Sequence, residues 1–153
     1  MIQRIQTLYL LLVVILSSLL FFMPVAGWII DGVSTQQLMF TGVFSGSEQV
    51  TDLPTWALST LSVIIPLVSF VSLFLFKRRI LQVRLNVFNI MLMIGYYALL
   101  ALLLWFGNSQ ENVSDWFIEI IACVPLVNVI LSALAIRAIL KDEALVRSLN
   151  RIR

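Results

Sequence analysis

The sequence predicts an all-α membrane protein of four transmembrane helices with both termini on the cytoplasmic side. Three observations predict it. First, the 153 residues are 61% hydrophobic and 12% charged, with a mean hydropathy of +1.03. A soluble domain runs near 45–50% apolar and about 25% charged. This composition excludes a soluble globule, a disordered chain and a nucleic-acid domain. Second, four apolar runs reach the roughly 20 residues that a helix needs to cross about 30 Å of hydrocarbon. Third, all 10 Lys and Arg residues fall on one side of those runs.

The runs are Ile5–Met23, Thr55–Phe76, Leu85–Phe106 and Trp116–Leu140. In lipid a backbone must satisfy its own hydrogen bonds, and these runs are too long for barrel strands, so helices are expected. Arg4 precedes span one. A cleaved signal peptide fits poorly there, because Pro24 stands where a small residue is wanted, so span one is expected to be retained. The outer loop Gly27–Pro54 follows, with Asp31, Glu48 and Asp52 but no Lys or Arg. Its stretch Gln37–Phe44 is rich in β-formers and predicts a short hairpin or extended segment. Its apolar residues, Met39 and Phe40 among them, mark either a lid over the outer ends of the helices or a partner surface. Lys77, Arg78, Arg79 and Arg84 lie between spans two and three. The second outer connection holds Glu111 and Asp115 and again no base. Span four ends on Arg137 and continues into the tail Lys141–Arg153. The positive-inside rule then places both termini in the cytoplasm. Trp28, Trp56, Trp105 and Trp116 all fall at the outer ends, as an interfacial aromatic belt would. A single four-helix domain over residues 1–153 is expected.

Two features point inside the helices. On span two, Ser59, Ser62, Pro66 and Ser69 share one face; on span four, Pro125, Asn128, Ser132 and Ala135 do the same. Small and hydroxylated residues let membrane helices approach and bond. These stripes are either the internal seam or a small polar cavity. The ungapped match of Pro66-Leu67-Val68-Ser69 to Pro125-Leu126-Val127-Asn128 also raises a duplicated helical hairpin, against coincidence in a small apolar alphabet. Both readings stay open. A proline inside a helix is expected to bend it and free a carbonyl.

Chemistry is sparse. There is no His and 1 Cys, which removes the commonest general base and metal ligand and any intramolecular disulfide. No carboxylate pair, metal-ligand spacing or nucleophile–base pair is present, so no catalytic residue, cofactor or metal is expected. Glu119 and Arg137 lie near the ends of span four and are expected to snorkel. Gly95-Tyr96-Tyr97 sits mid-span, where a tyrosine needs a hydrogen-bond partner. The tail reads as an amphipathic basic helix with Leu145, Leu149 and Ile152 on one face and Glu143 placed to pair with Arg147.

The opening Met1-Ile2-Gln3-Arg4-Ile5-Gln6-Thr7-Leu8-Tyr9-Leu10-Leu11-Leu12 and the closing stretch from Arg137 to Arg153 resemble a family of small four-helix inner-membrane proteins of the Bacteroidota. Lys141-Asp142-Glu143-Ala144-Leu145-Val146-Arg147-Ser148 is the most specific part, and Asn150 stands where an Asp is expected. The family is catalogued only as a domain of unknown function. The resemblance implies four helices and a bacterial inner membrane, and no activity.

The expected function is a non-catalytic subunit or accessory factor of a larger inner-membrane complex. The alternative is a small transporter or binder of an apolar ligand, a lipid or a quinone; an integral membrane enzyme ranks third. The expected partners are the lipid bilayer and other membrane-protein subunits, with no nucleic acid. Candidate partner or lipid contacts are Met39, Phe40, Lys77, Arg78, Arg79, Arg84, Leu145, Arg147, Leu149 and Arg151. Candidate seam residues are Ser62, Pro66, Ser69, Pro125, Asn128 and Ser132.

Overall fold

A computed structural model describes residues 3–30, 32, 34–46, 48–50, 55–75, 78–109 and 113–150. Four α-helices account for most of them: α1 (Gln3–Leu19), α2 (Trp56–Phe74), α3 (Arg79–Asn108) and α4 (Val124–Asn150). α1 packs on α2 and α4, and α3 packs on the same two, so the helices close a ring. α2, α3 and the stretch Ile120–Leu145 are long and apolar enough to cross a membrane, each with a mean hydropathy of 2.2 over its best window. That marks a membrane protein. α1 is apolar but shorter.

The expectation of an all-α protein is overturned by a five-stranded antiparallel sheet. Its strands are β1 (Ala26–Ile30), β2 (Ser34–Met39), β3 (Gly42–Ser45), β4 (Glu48–Val50) and β5 (Val113–Ile118). The spatial order is β4-β3-β2-β1-β5. The first four strands form a meander, and Gly32 and Gly46 take the left-handed turn conformation, with φ of 70° and 63°, that a side chain disfavours. β5 arrives from the far end of α3 and pairs with the open edge of β1, setting Trp28 opposite Trp116. The Val25 carbonyl accepts from the Glu119 N–H at 3.0 Å and extends that ladder.

Span four is therefore not one helix from Trp116. Its first part is β5, then a 3₁₀ turn over Ile120–Cys123, and α4 begins at Val124. Trp116-Phe117-Ile118 suits a strand as well as a membrane helix, and a free strand edge on β1 decides between them. Pro125 consequently stands in the first turn of α4, where a missing N–H costs nothing, whereas Pro66 lies inside α2. The two prolines matched in the hairpin comparison thus occupy different settings. Span one also ends early. The helix stops at Leu19 and tightens into turns in which Leu20, Phe21 and Phe22 donate to the carbonyls three residues back, ahead of Pro24, which cannot continue it.

The sheet caps one end of the helix ring. Val25, Ala26, Trp28, Leu38 and Val43 are buried in one cluster with Leu58, Leu100 and Leu103 of α2 and α3. Trp28 lies against Gly107 of α3 so closely that a Cβ there would overlap the indole. Trp28 is 1% exposed, so it belongs to the cap and not to an aromatic belt. Trp56, Trp105 and Trp116 remain on the surface. The other end carries the basic residues; there Arg79 of α3 pairs with Asp142 of α4 at 3.1 Å and with Glu143 at 3.8 Å.

Candidate functional site

The helices enclose a polar interior. Gln6, Ser17, Ser62, Ser69, Ser72, Gln82, Asn86, Asn89, Asn128 and Ser132 are each at most 6% exposed. Four anchors fix how the helices stand beside one another. The Asn89 amide donates to the Ser69 hydroxyl at 2.7 Å, and the Asn128 amide to that of Ser17 at 2.8 Å. The Arg79–Asp142 pair ties α3 to α4. So does Tyr97, whose hydroxyl donates to the Ala122 carbonyl at 2.7 Å and accepts from the Leu126 N–H at 3.0 Å.

Carrying the three-and-four spacing of each helix from those anchors places the core side chains in levels. Nearest the basic end stand Gln6, Gln82 and Ile139. Next come Leu10, Ser72, Asn86 and Ala135, then Val13, Ser69, Asn89 and Ser132. Above them stand Ser17, Ile65, Met93 and Asn128, and the last level holds Leu20, Ser62, Tyr96 and Pro125, all of them buried. The Tyr96 hydroxyl lies against Ser62 in that last level, as the register requires. Every level holds at least two polar side chains. Beyond them the core turns apolar, with Leu58, Leu100 and Leu103 under the sheet.

The hydrogen bonds do not exhaust this polarity. Gln6 Nε2, Gln82 Oε1, both amide atoms of Asn86, Ser72 Oγ, Asn89 Oδ1, Ser132 Oγ, Asn128 Oδ1 and Tyr96 Oη are buried with no closed hydrogen bond among the described residues. They run through all five levels. A buried polar atom left without a partner costs about 1–3 kcal/mol, so such a file has to be satisfied by something.

Of the candidate seam residues, Ser62, Pro66, Ser69, Pro125, Asn128 and Ser132 are all buried between helices. Ser59, from the same sequence stripe, is part-buried and donates to the Phe40 carbonyl. Phe40 packs its ring edge-on against Phe21 at 4.8 Å, so it ties the turn between β2 and β3 to α2 and to the turns that follow α1, and Met39 beside it is half-buried. Arg78 and Arg84 are exposed, Arg79 is held by its carboxylates, and Leu145 is exposed. Arg147 and Leu149 belong to α4 with side chains outside the described set, and Lys77, Arg151, Ile152 and Arg153 lie outside the described residues. Gln6, Ser17, Ser72 and Gln82 were not singled out from sequence. The run Gln82, Asn86, Asn89, Met93, Tyr96, spaced four, three, four and three, carried the signal.

A second feature lies on the outside. Where α4 starts late, α3 and α4 part below β5 and leave two adjoining hollows of about 330 Å³ and 360 Å³. Ala101, Leu104 and Ile118 line both. Ala122 and Cys123 floor the first, and its one hydroxyl, Tyr97, is committed to the start of α4. No cluster of His, Cys, Asp and Glu that could hold a metal occurs among the described residues.

A helical ring with three membrane-length helices and a sheet cap defines the class as a small membrane protein. Residues 2–152 match the model of the family described as "Domain of unknown function (DUF4293)", and the chain belongs to that family. No curated protein and no solved structure matches it.

Proposed function

We propose that this chain is a non-catalytic integral component of a bacterial inner membrane, a four-helix bundle that joins a larger protein assembly there. The four helices cross the bilayer, with both termini and the basic end in the cytoplasm and the sheet outside. The one-sided placement of the 10 basic residues supports that orientation. α1 and the tight turns after it reach about 31 Å, at 1.5 Å per helical and about 2 Å per 3₁₀ residue, enough to cross.

The hollow between α3, β5 and α4 is the observation that carries the assembly reading. Its floor is small, with Ala101, Ala122 and Cys123. Ala101 and Ile118 continue from it into the adjoining hollow. Small residues let a second helix approach a backbone closely in lipid. The same hollow favours a second reading, an acyl chain or quinone. The committed Tyr97 hydroxyl leaves little to orient a quinone carbonyl, which supports the helix.

The test is native purification in mild detergent with mass spectrometry of proteins and lipids. A stoichiometric membrane protein should accompany the wild type and be lost from Ala101→Trp, which fills the hollow while the bundle stays folded. Retention of that partner by Ala101→Trp overturns the assignment of this surface. A recovered quinone or lipid displaced by the same substitution moves the function to the second reading. For topology, Ser47→Cys should react with an impermeant maleimide on intact spheroplasts, while a reporter after Arg153 reads cytoplasmic. The reverse pattern overturns the orientation.

A further inference from the structure

We propose that the centre of the helical body is a hydrated shaft, filled by a file of bound water that enters from the basic end and stops beneath the sheet. The inference starts from the buried atoms that lack partners. Donors and acceptors are both present: Asn86 contributes one of each, Gln6 an amide donor, and Gln82, Asn89 and Asn128 carbonyl oxygens. That mixture selects the ligand. An anion would satisfy the amide donors and repel the carbonyl oxygens. A cation would do the reverse and would sit among no carboxylate. Water donates twice and accepts twice, and buried water characteristically makes about three bonds to such groups.

The levels also show where the shaft begins and ends. It opens at the level of Gln6 and Gln82, one turn inside the Arg79–Asp142 ion pair. Beside their asparagines the second and third levels hold Ser72, Ala135, Val13, Ser69 and Ser132, with Leu10 the one larger side chain, so most of the wall in the middle of the shaft is short. From Gln82 to Tyr96 it runs about 21 Å at 1.5 Å per residue. It then meets Leu58, Leu100 and Leu103, which offer no polar atom and are capped by the sheet. In this proposal the shaft is blind: water enters past Gln6 and Gln82, which keep 6% and 3% exposure, and the leucines seal the other end. Its placement in the membrane rests on the proposed four-span topology, but the hydration does not.

Silver ion, close to water in size, tests the shaft by thiol access. In a Cys123→Ala background, Ser72→Cys and Ser69→Cys replace small buried hydroxyls with thiols. Each should react with silver at least tenfold faster than Leu58→Cys, which lies past the leucine seal. Reaction of all three thiols at the same slow rate overturns the proposal. If a cysteine variant does not fold, the unmodified protein answers by X-ray hydroxyl-radical labelling, in which radicals form from bound water. Met93 and Tyr96, both 0% exposed, should be oxidised in the native protein at rates, normalised to the unfolded chain, at least tenfold above those of Leu58 and Leu100. Equal protection of all four residues means a dry core and overturns the shaft.

Discussion

The Asn128 amide spends one hydrogen on Ser17 across the α1–α4 seam, and in lipid such a bond is worth less than its burial implies. The unfolded chain in the membrane also finds partners, so interhelical bonds measured there average about 0.6 kcal/mol, with a maximum near 1.7. A double-mutant cycle of Asn128→Ala and Ser17→Ala should return a coupling of about 0.6 kcal/mol in a detergent unfolding assay. A coupling near zero would mean that the pair is incidental to the seam. Polarity of this kind was half legible in the sequence. Ser62, Ser69, Asn128 and Ser132 stand out because a hydroxyl or amide in the middle of an apolar run is conspicuous. Gln6 and Gln82 sit beside Arg4 and Arg84, where a polar side chain looks interfacial. Only the packing of α1 and α3 into the ring turns them inward.

At the scale of elements, the helices were readable, and so was the hairpin at Gln37–Phe44, where β2 pairs with β3; the closure of the sheet by β5 was not. A membrane helix announces itself by unbroken length. Half of β5, Trp116–Ile118, belongs to a run that also satisfies a helix, and its strand character depends on β1, which lies more than 80 positions earlier in sequence. The joint between sheet and helices makes a sharp prediction. Gly107→Ala on an open helix surface should gain up to about 1 kcal/mol from helix propensity. Here the added methyl enters the Trp28 ring. The variant should be destabilised, with limited proteolysis cutting faster within residues 31–54 than elsewhere. Greater stability than wild type would contradict the packing of Trp28 on α3. At the opposite end, Arg79 and Asp142 have side chains 21% and 15% exposed. Their pair should contribute at most about 1 kcal/mol, weakening with salt. Asp142→Arg should lower the thermal midpoint, and adding Arg79→Asp should restore most of the loss. Failure of the swap to rescue would show that the Arg79–Asp142 pair does not account for the loss.

For the whole molecule, a sheet that draws its strands from both halves of the chain sets the order of assembly. β1 finds β2 within a few residues, so the meander can form as soon as residue 50 has been made. The other edge of β1 must wait for β5, until α2, α3 and residue 118 have been made. Pairing so distant in sequence is slow, because the loop must close before any contact rewards it. During that interval β1 offers an unpaired edge, the configuration most prone to join a strand from another chain. Biogenesis, more than the finished fold, is then the vulnerable period of this protein, and a factor that shields one short strand would protect it.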